Sequence, residues 1–401
     1  MIRAGVAGPV PVVLLDRFGY RSYHRRDGTP FLPCDQYSVR LVTDVGKLDE
    51  AKGPEIESVL GIRLDEETSR CAAAFQCNNG AAAAAGLVAI SEVHLLLGAQ
   101  LRQELGLTGP HVPDVLPFRD KIIMKQHLRD QGIRVPDFMP FDRRAARSLL
   151  QTHRRLFVKP RLGAGSMDVT VLASQEDIEQ LARNRPAAAQ ELDIEEYIDG
   201  QLFHIDSVVD HGRVVAATAG RTIDPTTSYQ GLQPCRDVGV AEGPELDTLL
   251  AFNEAVLSCH PTFSGVTHHE VFLARGEPVF CEIAARPGGG GVVPGFHSRT
   301  GANLNEITVH AQLGAPVPSQ LEIAEHLTGY VMIYSDSGAQ HALPALAGEP
   351  WVIDTRISTN HNQERNAPGD WGDAAVVLTV RGETEQQVTL RLDQAVERLA
   401  P

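Results

Sequence analysis

VTHHEVFLARGEPVFCEIAARPGGGG, residues Val266 to Gly291, is the stretch on which the reading of this chain turns. Its alternation predicts two strands joined by a turn at Arg275-Gly276. Glu270 falls on the first strand and Glu282 on the second, so a hairpin brings both carboxylates to one face. Two close carboxylates repel unless a cation lies between them, and ligands that are all oxygen favour a hard ion such as Mg²⁺. Arg286 and four glycines follow, a fixed cation for phosphate and then a backbone free to approach a ligand. The stretch reads as the metal and phosphate end of a nucleotide site, or as an ordinary hairpin with solvent-facing glutamates. Cys281 is expected on the face opposite Glu282, as a packing residue and not a nucleophile.

Around it lies a chain of 401 residues, 43% hydrophobic and 22% charged, long enough for two to four domains. With 36 basic and 51 acidic residues its net charge is −15, which argues against nucleic-acid and anionic-membrane partners. Its six cysteines form no C-x-x-C pair, which suits reduced thiols and a cytoplasmic protein. The most apolar run, Ala81 to Ala99, is interrupted by Ser91, Glu92 and His94 and does not read as a membrane span.

In the first segment, residues 1–117, Val10 to Asp16 and Val39 to Asp44 read as buried strands and Cys71 to Cys77 as another. Glu55 to Leu60 reads as a short helix, and Ala81 to about Leu105 as a long helix-prone stretch. The alternation implies a small open α/β sheet. A helix follows Lys121 and is ended by Gly132. Arg155 to Leu172 reads as strand, glycine loop (Gly163, Gly165, Ser166), strand; it is neither a P-loop nor a Rossmann fingerprint. Such a loop can fold over phosphates, with Lys159 at the end of the incoming strand. Ser174 reads as an N-cap. Gln201 to Val215 reads as a hairpin turning at His211-Gly212, Gly220 to Gly243 as a long loop, Asp247 to Cys259 as a helix, and Thr300 to Gly314 as another. Residues 321–401 read as a small β-rich closing domain with a terminal helix striped by Val388, Leu392, Val396 and Leu399.

Taken in order, the Lys121 motif, VKPRLGAGS, EEYIDG and the Glu270/Glu282 hairpin ending in RPGGGG resemble the ATP-grasp superfamily, in particular its carboxylate–amine ligase branch of L-amino-acid and dipeptide ligases. The likeness covers roughly residues 80 to 320. It implies an α/β (α+β) chain: an N-terminal α/β domain (1–117), an ATP-grasp domain (118–320) with a mobile lid at about 155–199, and the closing domain. It implies ATP phosphate contacts at Lys121 and Lys159, a covering loop at Gly163, Gly165 and Ser166, and an adenine hinge at Glu195, Glu196, Tyr197 and Ile198. Glu270 and Glu282 match carboxylates for one or two Mg²⁺, with Mn²⁺ as a substitute, and Arg286 an arginine beside the transferred phosphate. Two positions depart from the pattern. Leu202 stands where many relatives carry a ribose-binding Glu, with His204 on the same strand face as a replacement, and Ala284 stands where relatives often carry Asn.

The activity implied is ATP-dependent joining of a small carboxylate to an amine through an acyl phosphate, with ADP and phosphate released and a homodimer as a possible assembly. His268, on the face of Glu270, and Arg299, after the glycine run with His297 and Ser298, are candidates for substrate contact or catalysis. Arg356 and His361 to Arg365 are candidates for closing the pocket. Three alternatives stay open: a carrier thiol or bicarbonate as acceptor, nucleotide binding without turnover, and a phosphotransferase that stops at the phosphorylated product.

Overall fold

The computed structural model describes residues 8–80, 82–185, 191–334, 339–357 and 373–399. Its first sheet is parallel, in the order β3-β2-β1-β4, from β1 (Val10–Leu15), β2 (Tyr37–Asp44), β3 (Ile56–Ile62) and β4 (Gly86–Val88). The unbroken apolar run of β1 is what a strand covered on both faces requires. Val12 and Leu14 join one buried cluster, Val13 and Leu15 the other.

Three expectations for this segment are corrected. Cys71 to Cys77 is not a strand but part of the helix Glu66–Asn78, capped by the Asp65 carboxylate, which accepts from the Thr68 amide. Its alanines favour a helix, and Ala72, Ala73 and Cys77 face the sheet while Phe75 stays exposed. Glu55 to Leu60 is not a helix: β-branched Ile56, Val59 and Ile62 lie in β3. The run from Ala81 holds β4 first, and its helix begins only at Glu92.

The second sheet is antiparallel, in the order β5-β8-β6-β7, from β5 (Phe138–Pro140), β6 (Leu156–Pro160), β7 (Thr170–Leu172) and β8 (Leu192–Glu196). Helices Arg143–Thr152 and Gln175–Asn184 close one buried core over it. Ser174 caps the second of these in a reciprocal box with Asp177, as expected.

The third sheet has eight strands in the order β13-β12-β9-β10-β11-β14-β16-β15. They are β9 (Gln201–Asp210), β10 (Arg213–Thr222), β11 (Cys235–Gly239), β12 (Gly265–Ala274), β13 (Glu277–Ala284), β14 (Leu327–Ile333), β15 (Val352–Ile357) and β16 (Val376–Gly382). The expected hairpins turn at His211-Gly212 and at Arg275-Gly276, where all four residues have positive φ. Gly220 to Gly243 is not one loop, because it contains the end of β10 and all of β11. Among the described residues, the segment after residue 320 forms no sheet of its own: β14 pairs with β11, so its strands extend the central sheet. Helix Glu385–Leu399 lays Val388, Leu392 and Leu399 against Val376, Leu378 and Val380. The helix expected at Thr300 starts at Leu304, capped by Asn303, because Gly301 (φ 71°) ends a separate helix, Val292–Thr300.

Candidate active site

Between the three sheets lies a cleft of about 2600 Å³, several times the volume of an ordinary small-ligand pocket. Glu270 and Glu282 stand in register across β12 and β13 and both line it. The register shifts just after Glu270, so Cys281 and Glu282 together oppose one residue. This bulge overturns the expected placement of Cys281. Its thiol does not turn away; it lines the cleft 3.8 Å from Glu270 Oε2. Burial first, with Glu270 and Glu282 beside it, pushes that thiol well above its ordinary pKa, so it is no thiolate nucleophile.

Lys121 is the first residue of helix Lys121–Asp130, whose N-cap Asp120 accepts from the Ile122 and Ile123 amides. The cap fixes the helix start, and the buried Lys121 Nζ then lies 3.1 Å from Glu282 Oε2 and donates to the Gly163 carbonyl at 2.8 Å. Burial alone raises a carboxyl pKa. At Glu282 the field of Lys121, Lys159 and Arg286 overcomes it and holds the group at about 2. Lys159, at the end of β6, pairs with Glu195 at 2.9 Å. Burial works to neutralise it, but the surrounding carboxylates win and hold its pKa well above normal.

Sequence reading missed Lys125, Arg119 and Glu92. Lys125 is fully buried and donates to both Asp193 and Glu195, so the Glu195 carboxylate is taken up by two lysines. The available signal was its spacing: four residues after Lys121, it falls on the same helical face. Arg119 donates to the carbonyls of Leu162 and Gly163 and lies 3.5 Å from Glu92 Oε1. The other oxygen of Glu92 accepts from Arg286 Nε at 2.5 Å. One carboxylate, at the start of helix Glu92–Leu105, therefore links Arg119, which holds the glycine loop, to the arginine after the hairpin.

In the segment expected to meet adenine, the Glu196 amide donates to the Asp137 carbonyl and the Tyr197 amide to that of Arg155, while Arg155 stacks 3.9 Å over the Tyr197 ring. Both N–H groups are spent within the protein, and Glu195, Glu196, Tyr197 and Ile198 all line the cleft. Gly163, Gly165 and Ser166 line the cleft, with Gly165 and Ser166 at φ 65° and 54°.

His204 and His268 belong to a buried acid–imidazole row. His204 Nδ1 is 2.7 Å from Asp206 and its Nε2 3.1 Å from Asp237; His268 Nδ1 is 2.8 Å from the other Asp206 oxygen and its Nε2 3.7 Å from Glu270. Burial works to neutralise His204, yet Asp237 and Asp206 hold its pKa far above normal. His204, the expected replacement for the ribose-binding Glu, lines the cleft with Nδ1 hydrogen-bonded to Asp206 and Nε2 beside Asp237 but not hydrogen-bonded to it. His297 and Ser298 line the cleft. Arg299 does not: its Nε and Nη2 donate to the Ala324 carbonyl at 3.2 and 3.0 Å, because it points off the far side of its helix. Arg356 lines the cleft, and His361 to Arg365 lie outside the described residues.

Residues 118–290 match the ATP-grasp domain family. The chain therefore carries an ATP-grasp domain over these residues, and the fold expected from the motifs is borne out. It is 25% identical over 217 residues to an L-arginine-specific L-amino acid ligase of Bacillus subtilis, a match spanning 51% of this chain and 52% of that protein. Its fold is similar to that of an L-amino acid ligase from Bacillus licheniformis, with TM-score 0.75, 16% identity and 98% of both chains covered. It is also similar to an N5-carboxyaminoimidazole synthase from Aspergillus clavatus solved with ADP, with TM-score 0.70, 14% identity and 98% and 99% covered. Among the described residues, no helix is long and apolar enough to cross a membrane.

Proposed function

We propose that the protein is an ATP-dependent carboxylate–amine ligase that joins small, amino-acid-like substrates in an amide bond. The observation that carries this is the convergence of Lys121, Lys159 and Arg286 on Glu282, which stands opposite Glu270, in a cleft also lined by the glycine loop. The two carboxylates offer only oxygen donors and stay partly open to the cleft, which fits Mg²⁺. Glu270 and Glu282 would hold that ion, which supplies charge neutralisation to phosphate oxygens when bound.

The chain's own groups have distinct tasks. Lys121 and Lys159 hold phosphate oxygens as fixed cations, and Arg286 stabilises charge on the phosphoryl group as it passes to the substrate carboxylate. The loop at Gly163, anchored through Arg119 and Lys121, keeps water from the activated acyl group until the amine attacks. Loss of phosphate from that carbon completes the amide, and no side-chain nucleophile takes part.

The test is release of ADP and phosphate from Mg·ATP across amino acids offered singly and in pairs, with mass spectrometry of products. Substrate-dependent release with a product of summed mass less one water is the expected result. ATP binding without substrate-dependent release would overturn it in favour of a nucleotide-binding protein. Release that depends on bicarbonate alone would move the acceptor to bicarbonate.

A further inference from the structure

Helix Lys121–Asp130 lies between the hairpin that carries the two glutamates and the four-stranded sheet that carries Lys159. On one side Met124 and Leu128 pack with Phe280 and Ile283 of β13, and Met124 Sδ accepts from the Ile283 amide at 3.4 Å. On the other, Lys125 donates to Asp193 and Glu195, both on β8. Lys121 and Lys125 are about one turn apart on the same face, so one helix reaches Glu282 with the first lysine and the sheet with the second. Asp193, Lys125, Glu195 and Lys159 form a row of alternating charge. Lys159 pairs with Glu195 at 2.9 Å and stands in register with Asp193 across β6 and β8. The Asp193 oxygen that Lys125 does not take has no hydrogen bond among the described residues. No member of the row is more than 5% exposed. Lys159 and Glu195 line the cleft, whereas Lys125 and Asp193 do not. Lys125 is therefore beyond the reach of a ligand, and any effect it has on the site passes through its partners.

Two lysines and two carboxylates leave the row without net charge. Take Lys125 away and Lys159 faces two carboxylates alone. Its ammonium would then be drawn toward β8 and away from the cleft, and an incoming phosphate would meet an excess of negative charge. We propose that Lys125 is a positioning residue of the nucleotide site: by taking one oxygen of Asp193 and one of Glu195, it leaves the Lys159 ammonium at the cleft wall as the cation that meets phosphate. The inference rests on the reading of Lys159 as a phosphate contact. It also gives the helix a second part in the site. The first residue of the helix is tied to the metal-binding hairpin and the glycine loop, and its second turn to the strand beside Lys159. One rigid element thereby fixes where the two phosphate-binding lysines stand relative to each other.

Adenosine is neutral and ATP is not, so a comparison of the two separates charge from shape. Calorimetry, with no other substrate present, measures both ligands, the second as Mg·ATP, on wild type, Asp193→Asn, Lys125→Met, Lys159→Met and the Lys125→Met/Lys159→Met double variant. Asp193→Asn keeps an oxygen for Lys125 and removes one negative charge. It is expected to bind Mg·ATP about 3-fold or more tightly with adenosine unchanged. Equal or weaker Mg·ATP binding overturns the proposal, and this arm decides it alone should Lys125→Met not fold. Lys125→Met, with its fold checked by circular dichroism, is expected to lose about 10-fold in Mg·ATP affinity and to hold adenosine within about 2-fold of wild type. A loss shared equally by the two ligands marks a structural role and overturns the proposal. In the double variant the two losses are expected not to add, because Lys125 acts through Lys159; additive losses overturn it. Lys159→Met separates the inference from the reading beneath it. Unchanged Mg·ATP affinity there overturns the phosphate reading and the positioning role together, whereas a loss there with none in Lys125→Met overturns the positioning role alone.

Discussion

Lys125 closes the buried charge of the site, since among the described residues it alone pairs with both Asp193 and Glu195. Lys125→Met would leave two carboxylates in the core with one lysine between them. The expected loss is about 3–5 kcal/mol of stability, read as a lower urea midpoint. Glu282→Ala is expected to abolish turnover while the circular dichroism spectrum is kept, since the group lines the cleft and holds no core together; wild-type turnover in that variant would rule out the metal reading. Three other buried residues give the molecule an acid limit. His94 and His260 are held at about 4, and His269 at about 3, chiefly by burial. Each is neutral when folded and takes a proton when unfolded below its ordinary value of 6.5. The unfolded state therefore binds more protons as pH falls, and stability drops by about 1.4 kcal/mol per pH unit for each group between roughly 6 and 4. His204 and His268, whose pKa values are raised, have the opposite sign: their contribution is complete below 6.5 and is lost only as pH rises through their folded values. Urea midpoints measured from pH 7 to 4 are expected to fall steeply, and His269→Asn is expected to flatten part of that slope.

At the scale of elements, the glycine run shows how position sets cost. A Cβ on Gly291 would lie 2.3 Å from Tyr330 Cβ and 2.6 Å from Thr379 Oγ1, and one on Gly288 would lie 2.6 Å from His268 Nδ1. Gly276, with φ 82°, meets nothing within 4 Å. Gly291→Ala should therefore cost about 1–3 kcal/mol and reduce turnover by shifting the turn after Arg286. Gly276→Ala should cost about 1 kcal/mol of backbone strain and leave turnover intact. Thermal unfolding and steady-state rates on the two variants separate these outcomes. Elements were legible where pattern and cap agreed, as at Ser174 with Asp177 and at the Glu270 hairpin. They were not where composition misled: the alanines of Cys71 to Cys77 carry no period that tells helix from buried strand. The bulge at Cys281 was also invisible, because strict alternation has no mark for an extra residue. At the site, residues in short linear motifs could be found, whereas Glu92 and Arg119 act through contacts that only the assembled fold creates.

For the molecule as a whole, the central sheet crosses residue 320 without a break. Removing residues 321–401 would expose the edge of β11 and strip Tyr330, Met332 and Val377 from the core they share with Val208 and Phe296. The truncated chain is expected to aggregate or lose cooperative unfolding; a soluble monomer with one sharp transition would show that the last segment is dispensable for folding. The distribution of charge has a further effect. Acidic residues outnumber basic ones by 15, and the cleft is no exception: Glu195, Glu270 and Glu282 line it beside Lys121, Lys159 and Arg286, and its carboxylates are about as numerous as its cations. Long-range attraction therefore gives a nucleoside triphosphate little help on approach, and the fixed cations act only once its phosphates are close. A bound divalent cation would offset the charge of the phosphates and of the glutamates together, so nucleotide affinity is expected to depend more steeply on the metal than on ionic strength, which titrations with and without Mg²⁺ at two salt concentrations would check.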